Sequence, residues 1–201
     1  MTRLNTAAAV VRANMVQGWM RNAELRWLYQ QAAALRPGAR WVEVGTWKGK
    51  SACAVVHGLP PGAVFTAVDT WRGNENKRGP GEACHEATLP TDPVFAAWTQ
   101  RVAELRMERP DVSIATVRAT SLAAASNLRA LGEEHDVVFI DGDHRYEPVL
   151  ADIKAFSPLV AAGGLLCGHD YSNAEVRRAV VELLPGARHA GPGTDIWQVR
   201  L

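Results

Sequence analysis

"WVEVGTWKGKSA", Trp41 to Ala52, compresses a strand, a glycine turn and the start of a helix into one short stretch. The β-branched and aromatic residues before the turn predict a strand over Arg40 to Gly45, and "KSACAVVHG", Lys50 to Gly58, predicts a short helix. Gly49-Lys50-Ser51 imitates the end of a phosphate-binding loop. Such a loop needs four residues between its glycines, whereas Gly45 and Gly49 enclose three, too few for a nest of amides around a phosphate. No G-x-G-x-x-G follows the strand either, which weakens a nicotinamide-binding reading.

Outward from this unit the same alternation repeats. On the N-terminal side Leu25, Leu28, Tyr29, Ala32 and Leu35 recur at helical spacing from a cap at Asn22 to the stop at Arg36-Pro37-Gly38. On the C-terminal side strands are predicted at Ala63–Asp69, "VSIATV", "DVVFID", "GLLCGHD" and "TDIWQVRL", with helices at "VFAAWTQRVAELRM", "LAAASNLRAL", "YEPVLADIKAFSPLV" and "AEVRRAVVELL" between them. This order calls for a parallel sheet with helices against it. In the helix after Arg145, Tyr146, Val149, Leu150, Ile153 and Phe156 form the apolar stripe, which leaves Asp152 and Lys154 as solvated charges. Trp71 to Pro93 has no sustained period and reads as a long excursion, a kind that often carries function.

With 201 residues, 47% of them hydrophobic, the chain has enough material for one well-cored domain. Lys and Arg number 22 against 21 Asp and Glu, a net charge of +1, so no basic field points to nucleic acid and no polybasic run to a membrane surface. Small-molecule partners are the expectation. Cys53, Cys84 and Cys167 are odd in number and widely spaced, which fits neither a disulfide framework nor a zinc site and suits a reducing cytoplasm. Arg12 and Asn14 interrupt the early "AAAVV" before a signal-peptide core develops.

Acidic residues collect at the predicted strand ends: Glu43 in the first strand, Asp69 closing the second, Asp141 the fourth and Asp170 the fifth. "FIDGDHRYEPV", Phe139 to Val149, adds Asp143 and His144 directly behind an apolar run, where charges cost free energy unless paired or bound to a cation. Gly142 to His144 and Gly168 to Asp170 echo fragments of metallophosphoesterases, but that group's opening Asp-x-His is missing.

"WVEVGTWKGKSA", "VDTW" and "FIDGDHRYEPVLADIKAFSPLVAAGGLLCGHDY" together resemble class I S-adenosylmethionine-dependent methyltransferases, over about Trp41 to Tyr171. Within the class they are most similar to small metal-dependent O-methyltransferases of the catechol and macrolide-sugar types. The resemblance implies a Rossmann-like, mostly parallel seven-stranded sheet with an antiparallel last strand and helices on both faces. It implies a methyltransferase domain over 39–201, with the helical segment 1–38 packing on or capping the site. S-adenosyl-L-methionine would be held by Glu43, Gly45, Thr46, Trp47, Ser51, Asp69, Trp71, Thr120, Ser121 and Asp141. Asp69 would accept the ribose hydroxyls, and Gly45 would let backbone approach the methionine part.

Glu43 could equally pair with the Gly45 and Trp47 amides, and Trp71 could be core. A divalent cation, Mg²⁺ or Mn²⁺, would sit on Asp141 and the pair His169-Asp170, where an imidazole in place of oxygen favours Mn²⁺ or a later metal. His144 would be the base that takes the proton of a small-molecule hydroxyl. Asp143 would cap the turn into the next helix. A sugar, a phenol and an amine acceptor remain equally open, as does a homo-oligomeric state. The rival readings are a nucleotide hydrolase and a catalytically silent cofactor-binding module.

Overall fold

The computed structural model describes residues 3–73 and 92–201. Most of the excursion predicted after Trp71, with Cys84, lies outside the described residues.

Two helices come first, α1 (Thr6–Asn14) and α2 (Asn22–Ala33). The Asn5 side chain caps α1 by accepting the Ala8 amide at 2.9 Å, while α2 starts behind Arg21, whose amide is taken by Glu24 at 2.6 Å. Then follow β1 (Arg40–Val44), α3 (Lys50–Gly58), β2 (Val64–Asp69), α4 (Pro93–Glu108), β3 (Ser113–Arg118), α5 (Ser121–Ala130), β4 (His135–Ile140), α6 (Tyr146–Phe156), β5 (Val160–Gly168), α7 (Ala174–Leu183), β6 (Arg188–His189) and β7 (Trp197–Arg200). The sheet order is β3-β2-β1-β4-β5-β7-β6. The first five strands run parallel, and β7 runs antiparallel to both β5 and β6.

The strand periodicity of two divides the apolar residues between two cores. Trp41, Phe65, Val137 and Phe139 face α1 to α4, where Leu28, Val55 and Trp98 meet them. Val42, Val44, Val138 and Ile140 face α5 to α7, against Val149, Ile153 and Val180. Both faces of the sheet are therefore covered, as parallel strands require.

The seven strands implied by the resemblance are all present; six show in the residue pattern, and the seventh, Arg188–His189, is two residues long and too short to show any alternation. One sequence expectation is corrected. The helix read through Val160 ends at Phe156, passes through one 3₁₀ turn (Ser157–Leu159) and gives way to β5 at Val160. Pro158 has no amide to continue the helical ladder.

Strand order reverses between β1 and β4, where connections leave in opposite directions and a crevice opens beyond the strand ends. Gly45 (φ +89°) makes this junction possible. A Cβ there would lie 2.0 Å from the Asp141 carbonyl oxygen, so only glycine lets the ends of β1 and β4 come together. The close approach needed at Gly45 is thus made by the protein's own backbone.

Candidate active site

Beyond the strand ends lies a cleft of about 1230 Å³, ample for one cofactor and an acceptor. Gly45, Thr46, Trp47, Ser51, Asp69, Trp71, Thr120, Ser121, Asp141, His144, His169 and Asp170 all line it. Of the residues singled out in the sequence, Glu43 alone is set back: it points from β1 toward α3, fully buried, and accepts a hydrogen bond from Ser51 Oγ at 2.7 Å. Burial pushes its carboxyl up to about 8. The Gly45 and Trp47 amides considered as its partners bond elsewhere, to the Val68 carbonyl and to Asp69.

At the end of β2, Asp69 accepts the Trp47 amide on one oxygen at 2.8 Å and the Trp71 amide on the other at 2.7 Å. These bonds fix the carboxylate in the cleft wall and leave each oxygen a second lone pair. Burial nevertheless raises its pKa. Trp47 and Trp71 both adopt left-handed backbone conformations, φ +46° and +54°, to turn their amides toward it. Trp71 is core as well as wall: it is 1% exposed, stacks on Trp98 at 5.9 Å and donates its indole N–H to the Trp47 carbonyl.

Across the cleft, Thr120 caps α5 and Ser121 Oγ donates to Asp152 Oδ1 on α6. Asp152, read from the sequence as a solvated charge, is 4% exposed and lines the cleft. Burial raises its pKa to about 6. Helical periodicity places it beside Ile153 at the border of the apolar stripe, and no local signal shows that α5 covers that border.

The other end of the cleft is acidic. Asp141, His144 and Asp170 bring one ligand atom each to within 4.8 Å of one another. His144 Nε2 lies 2.9 Å from Asp170 Oδ2. His169 stands beside this group, its Nδ1 3.6 Å from Asp141 and 3.3 Å from Asp170, its Nε2 3.3 Å from Glu24. Burial drives Asp141 up to about 7. Burial acts in the same direction on Asp170, but the hydrogen bonds of His144 and His169 outweigh it and hold that carboxyl well below the usual range. His169 is buried too, yet its carboxylate neighbours raise it to about 11. Asp143, also in the cleft lining, accepts the Arg145 amide at 2.9 Å and its guanidinium.

The residues fit the groups implied by the resemblance. The Trp47 indole N–H is buried without a hydrogen-bond partner among the described residues, in the part of the wall where a polar cofactor would pass. Two carboxylates crowded at a sheet edge beside an imidazole are a hard-to-borderline donor set suited to Mg²⁺ or Mn²⁺. Gly18, Trp19 and Met20 also line the cleft; Lys50 Nζ donates to the Gly18 carbonyl at 3.2 Å, and the Trp19 ring packs on that of Trp47 at 4.7 Å, tilted by 31°.

This fold, with its switch-point cleft and an acidic residue at the end of each of β2, β4 and β5, defines a methyltransferase of the S-adenosylmethionine-dependent class I architecture. A family model described as a methyltransferase domain matches residues 42–171, and the chain belongs to that family. Among solved structures it is similar to an O-methyltransferase from Bacillus cereus in complex with SAH, at 15% identity, covering 98% of this chain and 89% of that one with a TM-score of 0.63. It is similar also to the calicheamicin methyltransferase CalS11 (15% identity, 96% and 79% covered, TM-score 0.61) and to cofactor-bound Rv0187 from MTB (19%, 98% and 87%, 0.61). These likenesses concern the fold. No curated protein matches the chain in sequence. Among the described residues no helix is long and apolar enough to cross a membrane.

Proposed function

We propose that the protein transfers the methyl group of S-adenosylmethionine to a hydroxyl oxygen of a small molecule, with a divalent cation at the acidic end of the cleft. The observation that carries this is the convergence of Asp141, His144 and Asp170 in the same cleft as Gly45 and Asp69. The ribose diol would rest on Asp69 and the purine against the hydrogen-bonded pair of Ser121 and Asp152. Asp141 and Asp170 would hold the cation, whose chemistry there is to orient the acceptor oxygen and lower its pKa. His144, oriented by Asp170, takes the acceptor proton; with its own proton on Nε2, the ring carries its lone pair on Nδ1. A second reading, in which His144 is a third ligand, is favoured by its closeness to both carboxylates.

A sugar hydroxyl is the first acceptor to try, because CalS11 is a TDP-rhamnose 3′-O-methyltransferase; phenols come second. The near-neutral charge of the chain speaks for a small acceptor over nucleic acid. The test is turnover with labelled cofactor over an acceptor panel, before and after exhaustive chelation. Activity lost in chelator and restored by Mg²⁺ or Mn²⁺ supports the reading. Full activity after chelation removes the cation, and methyl transfer to amines alone removes the hydroxyl.

A further inference from the structure

Glu24 sits in the first turn of α2, yet its side chain is only 1% exposed. Capping the helix would occupy one of its oxygens, Oε2, with the Arg21 amide. The other, Oε1, is a junction: it accepts the Arg21 guanidinium at 2.5 Å and the Asp195 amide at 2.9 Å, and lies 3.3 Å from His169 Nε2. A capping glutamate has no need of burial, and a buried carboxylate is costly unless its surroundings require it.

What surrounds it is the segment that follows β5. His169 points one ring nitrogen at Glu24 and the other at Asp141 and Asp170, so the imidazole is strung between the N-terminal helix and the two carboxylates. Asp195, whose amide Glu24 accepts, in turn receives the Ser172 amide and hydroxyl at 2.6 Å each. Residues 169–172 are thus held from both sides, with Asp170 in the left-handed region at φ +58°, a conformation that aspartate tolerates better than most non-glycine residues.

We infer that Glu24 is a positioning residue for the cation site, acting through His169 to keep the carboxylates of Asp141 and Asp170 turned toward one another. The inference rests on the cation reading above. It gives the N-terminal segment a part in the site without touching substrate, and it makes His169 a support beside the cation, with both ring nitrogens directed at carboxylates. Partners of this kind orient ligands, and their loss typically weakens metal binding about 10- to 100-fold.

The experiment is a Mn²⁺ titration of the full chain, followed by electron paramagnetic resonance of the free ion, with SAH affinity measured by calorimetry on the same samples. Glu24→Gln, which keeps an oxygen acceptor and loses the charge, is expected to weaken Mn²⁺ roughly 10-fold or more and leave SAH affinity within about twofold. His169→Asn should weaken it similarly, and the double variant should be little worse than either, since both act along one path. Wild-type Mn²⁺ affinity in Glu24→Gln, equal loss of SAH and Mn²⁺ affinity, or multiplying effects in the double variant would each overturn the inference. If Glu24→Gln does not fold, His169→Asn with unchanged Mn²⁺ affinity overturns it from the other end. If the wild-type chain binds SAH and no Mn²⁺, the cation reading itself has failed and this inference falls with it.

Discussion

His144 Nε2 and Asp170 Oδ2 are 2.9 Å apart, joining the turn after β4 to the end of β5. A carboxylate in that position fixes the ring and stabilises the imidazolium formed when the ring accepts a proton. His144→Ala is therefore expected to retain SAH affinity and Mn²⁺ affinity within a few-fold while losing roughly 10²-fold or more in turnover, most for aliphatic alcohols. Rapid-quench turnover together with the Mn²⁺ titration decides the matter. A loss of Mn²⁺ affinity as large as the loss of turnover would make His144 a ligand instead.

Asp69 is fixed by two backbone amides before any cofactor arrives, so its contribution to binding needs no rearrangement. Asp69→Ala should weaken SAH by about 2 kcal/mol, the worth of a charge-assisted pair of hydrogen bonds to a diol. Calorimetry that returns wild-type affinity would take Asp69 out of the ribose site.

Asp152 has its pKa raised by burial to about 6, from an ordinary value near 3.8. In the folded state the proton is held more tightly than in the unfolded chain, so this group's contribution to stability is fully present below pH about 4 and is lost as pH rises through about 6. Asp152→Asn removes that dependence. The variant should match or trail the wild type near pH 4 and exceed it by on the order of 2–3 kcal/mol above pH 7, where the site's own stability cost is fully expressed. Urea unfolding at the two pH values measures it; a pH-independent difference would contradict the assignment.

Gly45→Ala should be among the most damaging single changes in the sheet. It combines a backbone clash at 2.0 Å with a φ of +89°. The expected loss is about 4 kcal/mol or more, since neither β1 nor β4 can move without breaking its ladder. A variant with wild-type thermal stability would mean that the strand ends lie farther apart than described.

Trp41 to Asp69, Val137 to Asp141 and Gly164 to Asp170 could be read directly from the chain, because alternating or continuous apolar runs ended by glycine and a carboxylate are local signals. Those runs carried the sheet class, and the family resemblance built on them named the expected cleft residues, of which all but Glu43 line the wall. Glu43 shows the limit: a strand position is visible, but the face it takes depends on which neighbour, α3 with Ser51, packs there. Asp152 shows the same limit on a helix, where burial was decided by α5, about thirty residues earlier in the chain. Glu24 is the extreme case. Its local pattern is a helix start, and that is all the sequence could specify; folding then set it against His169 and Asp195, 145 and 171 residues away. Sequence determined the elements and their chemistry because hydrogen-bonding and apolar periodicity are properties of neighbours. Tertiary structure alone decided which charges are desolvated and which carboxylates share a histidine, because those depend on distances that only packing sets.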